Sequence, residues 1–235
     1  MTEHLFRDDS YLRSCAARIM GVDGRGIRLD RSVFYPMGGG QPGDNGVLRL
    51  GSGETVAIVD TIKGDGPADI IHVPASGVTL PSPGDELIAE IDWERRHRLM
   101  RMHTCLHLLC AVVPGAVTGG QVADGRGRLD FDVPGSSLDK AEITARLNEL
   151  IAAGHPVTPR WITDDELAAQ PDLVRTMSVK PPTGSGRVRL MEIAGVDLQP
   201  CGGTHVANIA EIEQVAVSKI ENKGRQNRRI NVVLV

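Results

Sequence analysis

From Arg25 to Asp92 the apolar positions fall in short runs and alternations cut by glycine and proline. IRLDRSVFYP, GVLRL, TVAIVDTI, DIIHVP and LIAEID are each bounded by turn formers, a pattern of short strands that close into a small barrel or sandwich. The period changes at Asp92. Through DWERRHRLMRMHTCLHLLCAVV, Leu99, Met102, Leu106 and Leu109 recur at steps of three and four, which predicts a helix with one apolar stripe against a core. Asp92 stands as its N-cap, Glu94 as an early acid, and Pro114 with Gly115 as its stop. GRLDFDVP then reads as a strand, and SSLDKAEITARLNELIAAG as a second helix with Ser137 as cap, Asp139 and Glu142 in its first turns and Gly154 at its end. Strand-like stretches return in HPVTPRWIT and RVRLMEIAG, with a short helix at DDELAAQ between them. EQVAVSKIENKG and RRINVVLV close the chain as two strands turning near Gly224. This order predicts an α+β protein: a small N-terminal β-barrel over residues 1–90 and an α+β domain over residues 91–235.

The composition adds limits. A chain of 235 residues, 41% apolar and 24% charged, is an ordinary globular one with room for one or two domains. No apolar run is long enough to span a bilayer, and Met1 to Met20 is broken by Glu3, Arg7, Asp8, Asp9, Arg13 and Arg18, so neither a membrane partner nor a secretory signal is expected and the cytoplasm is the expected compartment. Cys15, Cys105, Cys110 and Cys201 form no CxxC pair, which points to burial or metal ligation in a reducing setting. A net charge of −4 argues against a globally basic nucleic-acid binder. Two basic strips stand out locally, Arg95, Arg96, His97, Arg98 and Arg101 on the first helix, and Lys219, Lys223, Arg225, Arg228 and Arg229 near the C-terminus. Nothing in the sequence sets an oligomeric state.

His103 and His107 lie four apart on the predicted helix, so both rings project from one side, as two ligands to one metal require. Cys201 and His205 enclose CGGTH, whose glycines allow a tight turn that brings a thiolate and an imidazole together. Either pair alone is weak. Together, three imidazoles and one thiolate form a four-ligand set suited to one zinc ion per chain. Thr104 stands where HExxH metalloproteases carry glutamate, which removes the usual peptide-hydrolysing arrangement.

HTCLH, CGGTH and the glycine-rich FYPMGGGQPGDNG at Phe34 to Gly46 resemble the AlaX-type alanyl-tRNA editing proteins, as do EIAGVDLQPCGGTHV and KIENKGRQNRRI. The likeness covers nearly the whole chain. It implies a glycine-rich barrel followed by a zinc-binding editing domain like that of alanyl- and threonyl-tRNA synthetases, with aminoacylated alanine tRNA as partner. It further implies that Gly38, Gly39, Gly40 and Gln41 form a conformable loop near the editing site or the tRNA acceptor end, while the residues alone equally fit a plain turn between strands. Glu192 and Asp197 precede Cys201 and are candidates to orient a ligating histidine, although acids near a strand more often pair with a base, and Arg187 and Arg189 stand close by. For tRNA phosphates the candidates are Arg95, Arg96, Lys223, Arg225, Arg228 and Arg229.

An alanine pocket cannot readily exclude glycine and rejects serine weakly. The expected reaction is therefore zinc-dependent hydrolysis of the aminoacyl ester of mischarged Ser-tRNA(Ala), and also Gly-tRNA(Ala), by a zinc-activated water, with no general base identified. Thr104 is the candidate partner of the serine hydroxyl. The alternatives are a non-catalytic RNA-binding module stapled by zinc, and editing of Ser-tRNA(Thr). A third reading is a zinc esterase acting on small esters.

Overall fold

The computed structural model describes residues 1–66, 68–133, 138–174, 186–224 and 226–235. They form two compact units, Met1–His97 and Arg98–Val235.

In the first unit β1 (Ser14–Asp23), β2 (Gly26–Leu29), β3 (Gly46–Leu50), β4 (Thr55–Lys63), β5 (Ile70–Pro74) and β6 (Glu86–Ile91) close an antiparallel barrel in the order β1-β2-β5-β4-β3-β6. The α+β expectation and its barrel are met. Inward residues alternate with outward ones along each strand, so Ile19, Leu29, Leu48, Val56, Ile58, Leu87 and Ala89 fill one core. Strand β1 was not expected, although Ala17 and Ile19 point in while Arg18 and Met20 point out. The predicted strand IRLDRSVFYP keeps only its first part as β2. Val33 to Pro36 are buried outside any long strand.

The glycine run makes a two-residue turn. Gly38 and Gln41 exchange both backbone hydrogen bonds at 3.0 Å, and Gly39 and Gly40 take φ of 57° and 83°, values that side chains resist and glycine accepts. Gln41 is buried, 1% exposed. Gly39 and Gly40 stay exposed at the tip.

The helix α1 (Trp93–Val112) begins in this unit, and Asp92 caps it, its carboxylate accepting from Arg95 N–H at 3.1 Å. Arg96 overturns its expected role. Its guanidinium is fully buried, doubly bonded to the Asp44 carboxylate, and donates to the carbonyls of Val33 at 2.7 Å and Ser10 at 3.1 Å, so it cannot reach a phosphate. Arg95 is half-buried and donates to Gly43 O at 2.8 Å.

In the second unit β7 (Ala116–Ala123) and β8 (Arg126–Asp132) form a four-stranded antiparallel sheet with the closing pair β12 (Val215–Lys223) and β13 (Asn227–Leu234), in the order β12-β13-β8-β7. A second sheet joins β9 (Val157–Thr163), β10 (Arg187–Ile193) and β11 (Asp197–Pro200). β7, with two central glycines and little apolar patterning, was unforeseen.

Two helices complete this unit, α2 (Lys140–Ala153) and the short α3 (Asp164–Ala168). Asp139, not Ser137, caps α2: its side chain accepts from Glu142 N–H at 2.8 Å. Ser137 lies outside the described residues. Gly154 ends the helix in the left-handed conformation.

The expected single apolar stripe on α1 is also corrected. From Leu99 to Cys110 every residue but Arg101 is buried. Leu106 and Met102 pack on Gly127 of β8, where an added Cβ would lie 2.8 Å from the Met102 sulphur. The face carrying His103, Thr104 and His107 is covered by β11 and the CGGTH loop. A helix covered on all sides needs no polar face.

Candidate metal centre

Helix α1 supplies His103 and His107 one turn apart, and the loop after β11 supplies Cys201 and His205. One ligand atom from each of the four lies within 4.8 Å of all the others. Cys201 Sγ is 3.5 Å from His103 Nε2 and 3.2 Å from His205 Nε2, close to the edges of about 3.3 to 3.6 Å that a tetrahedron with Zn–N and Zn–S bonds of about 2.0 to 2.3 Å would have. The three histidines are buried and Cys201 is half-buried. The group can hold a metal ion.

The outer contacts prepare the nitrogens for that task. His107 Nδ1 lies 2.9 Å from Asp197 Oδ2, which also accepts from Gln199 Nε2 at 2.7 Å. With its Nδ1 proton on the carboxylate, His107 presents Nε2 to the cluster. His205 Nδ1 lies 3.1 Å from Thr104 Oγ1, which also accepts from Val206 N–H at 3.3 Å. Thr104 is fully buried, with its hydroxyl oxygen against the His205 ring. The Asp197 carboxylate meets a ring nitrogen of the cluster, whereas the Glu192 carboxylate pairs with Arg160 at 3.2 Å.

Charge in the cluster favours a cation. Burial opposes ionisation of Cys201, but the imidazoles of His103, His205 and His107 around the sulphur hold the thiol well below its usual range. Burial also works against a charged His107, yet Asp197 and the thiolate outweigh it and push the imidazolium up to about 10. Burial and His103 push His205 down to about 3. A metal must then displace the proton on His107, and affinity should rise with pH across neutrality.

Replacing Asp197 with Asn should weaken metal binding about 10- to 100-fold. It should also lower the number of protons released per metal at pH 7, because His107 without the carboxylate gives up its proton more readily in the metal-free protein. Calorimetry in two buffers of different ionisation enthalpy measures both. Unchanged affinity and proton count would remove Asp197 from the site.

A family model described as the threonyl and alanyl tRNA synthetase second additional domain matches residues 188–231, which include β10, β11 and the CGGTH loop. Over its full length the chain is 36% identical to the whole of a protein from Methanosarcina acetivorans named alanyl-tRNA editing protein AlaX-M. The chain belongs to the AlaX family of alanyl-tRNA editing proteins. A protein of the same name from Saccharolobus solfataricus is 31% identical, with 98% of each chain covered. An alanine-tRNA ligase from Pyrobaculum neutrophilum is 36% identical over 94% of this chain and 25% of the ligase.

The basic strips of this AlaX chain are more nearly neutralised than their sequence implies. Arg229 forms a two-point pair with Asp130 at 2.7 and 2.8 Å, and Lys223 lies 3.8 Å from Glu221. Arg98 pairs with Asp124 and Arg101 with Glu213. Arg228 donates to backbone carbonyls, and Arg225 lies outside the described residues. Of the two arginines beside Glu192, Arg187 stacks over the Trp161 ring at 4.4 Å. Arg189, buried beneath the CGGTH loop, bonds the carbonyls of Cys201 and Gly203. Sequence reasoning missed Arg189 and Gln199, whose only signal was a polar residue at an inward position of a strand. Buried Cys105, its thiol pushed up to about 12 by desolvation, lies outside the cluster.

No helix among the described residues is long and apolar enough to cross a membrane.

Proposed function

We propose that the chain is a free-standing, zinc-dependent deacylase that hydrolyses the aminoacyl ester of Ser-tRNA(Ala), and also of Gly-tRNA(Ala). The observation that carries this is the convergence of His103, His107, Cys201 and His205 with their outer partners Asp197 and Thr104. The relatives' name, alanyl-tRNA editing protein, supports the substrate.

Three imidazoles and a thiolate fit zinc, which when held supplies Lewis acidity. The protein's own contribution is positional. Asp197 and Gln199 fix the His107 ring, Thr104 fixes His205, and His103, His107 and His205 are themselves buried. The aminoacyl ester is already reactive, so holding it against water accounts for much of the rate. For tRNA phosphates we retain Arg95, Lys223, Arg225, Arg228 and Arg229, and for the acceptor end the turn of Gly38, Gly39 and Gly40, exposed at Gly39 and Gly40.

One observation favours a second reading. Four protein ligands fill a tetrahedron, as in zinc sites that only brace a fold. Deacylation of Ser-, Gly- and Ala-tRNA(Ala), measured with and without chelator and alongside circular dichroism, separates the two. The deacylase loses Ser-tRNA(Ala) hydrolysis on chelation while its fold persists. A protein that unfolds on chelation and never hydrolyses is the RNA-binding module.

A further inference from the structure

The CGGTH loop is gripped from behind by a buried cation. Arg189 on β10, only 7% exposed, donates from Nη1 to the carbonyls of Cys201 at 3.1 Å and Gly203 at 2.9 Å, while its own carbonyl accepts from Cys201 N–H at 3.1 Å. A trans peptide points its N–H opposite to its C=O, and the described residues contain no cis peptide. With the Cys201 carbonyl turned onto Arg189, the Gly202 N–H is turned away from it.

That N–H has no acceptor among the described residues. Gly202 is exposed, and a Cβ built on it would meet nothing within 4 Å. The next amide, Gly203 N–H, is directed at Cys201 Sγ, 3.4 Å away. The Gly202 nitrogen is four covalent bonds from the same sulphur and so stays within roughly 5 Å of it in any rotamer. A guanidinium on the carbonyl end of a peptide also polarises its N–H end. The Cys201 edge of the cluster is therefore bordered by a fixed and strengthened donor with no acceptor among the described residues.

We propose that the Gly202 N–H stabilises the oxyanion of ester hydrolysis and that Arg189 is the residue that positions it, an inference resting on the deacylase reading. As a water oxygen bonds to the ester carbon, the carbonyl π pair moves onto the carbonyl oxygen, where the negative charge meets the amide. The intermediate collapses by reforming the carbonyl and expelling the terminal ribose oxygen, which takes the proton that the water gives up. A donor fixed in advance where charge develops binds the transition state more tightly than the ground state.

Gly202→Pro removes the N–H, whereas Gly202→Ala keeps it. With cobalt(II) in place of zinc, the thiolate-to-cobalt absorption reports whether the metal site survives. We expect Gly202→Pro to lower kcat about 10²- to 10³-fold with KM and the cobalt spectrum retained, and Gly202→Ala, which keeps the N–H, to lose less. Arg189→Met should lower kcat with the spectrum intact, and Arg189→Lys should recover part of the loss. Parental kcat in Gly202→Pro with a parental spectrum overturns the proposal. If that variant disturbs the spectrum, Arg189→Met decides in the same way. A parent inactive on every aminoacyl-tRNA overturns the functional reading and this one with it; an active parent with unaffected variants overturns this one alone.

Discussion

Cys201→Ala is expected to lower zinc affinity about 100-fold or more and to remove deacylation at limiting zinc. Zinc sites of this kind bind with roughly 10 to 16 kcal/mol, so one ligand in four accounts for about 3 kcal/mol, and 1.4 kcal/mol is a factor of ten. The loss should exceed that of Asp197→Asn, which leaves all four donors in place. It should also change the charge balance, because the thiolate that helps keep His107 protonated is gone. Zinc content after dialysis against a competing chelator, measured beside the deacylation rate, checks it. Parental deacylation by a zinc-free Cys201→Ala protein would exclude a metal-dependent reaction.

The second large effect concerns stability and lies within the barrel unit. Arg96→Met should leave Asp44 buried without its guanidinium, with Tyr35 N–H, at 2.6 Å, the one other donor to its carboxylate among the described residues. Removing one member of a buried ion pair costs about 3 to 5 kcal/mol. For a unit of this size about 1 kcal/mol moves the midpoint by about 4 to 8 °C, so its unfolding midpoint should fall by at least about 12 °C. The double variant Arg96→Met with Asp44→Leu should regain part of the loss, since it leaves no orphan charge. Thermal unfolding of the three proteins measures the coupling. A single variant as stable as the parent would mean that water reaches Asp44.

The four cluster residues were legible because spacing encodes direction. Two histidines four apart on a helix must share a face, and a Gly-Gly turn must bring its flanking residues together. The partners of Thr104 and Glu192 were not legible because a hydroxyl or carboxylate carries no mark of its partner in sequence. Thr104 meets His205 a hundred residues downstream, and Glu192 meets Arg160 on the neighbouring strand. Arg96 misled for the same reason: in a run of four basic residues it alone faces Asp44. Strand β7 was missed because its glycines carry no apolar pattern, yet pairing to β8 fixes them. Strand β1 carried its alternation in view and was readable.

The burial of α1 on every side has a calorimetric consequence. His103 and His107 keep their spacing because Met102 and Leu106 rest on Gly127 and because Thr104 is fixed to His205 across the opposite face, not because a metal draws them together. A protein that folds only around its metal buries apolar surface in the act of binding and shows a large negative heat-capacity change. Here that surface is already buried, so titrating the metal-free protein at several temperatures should give an enthalpy that scarcely varies, set by desolvation of the ion and the proton leaving His107.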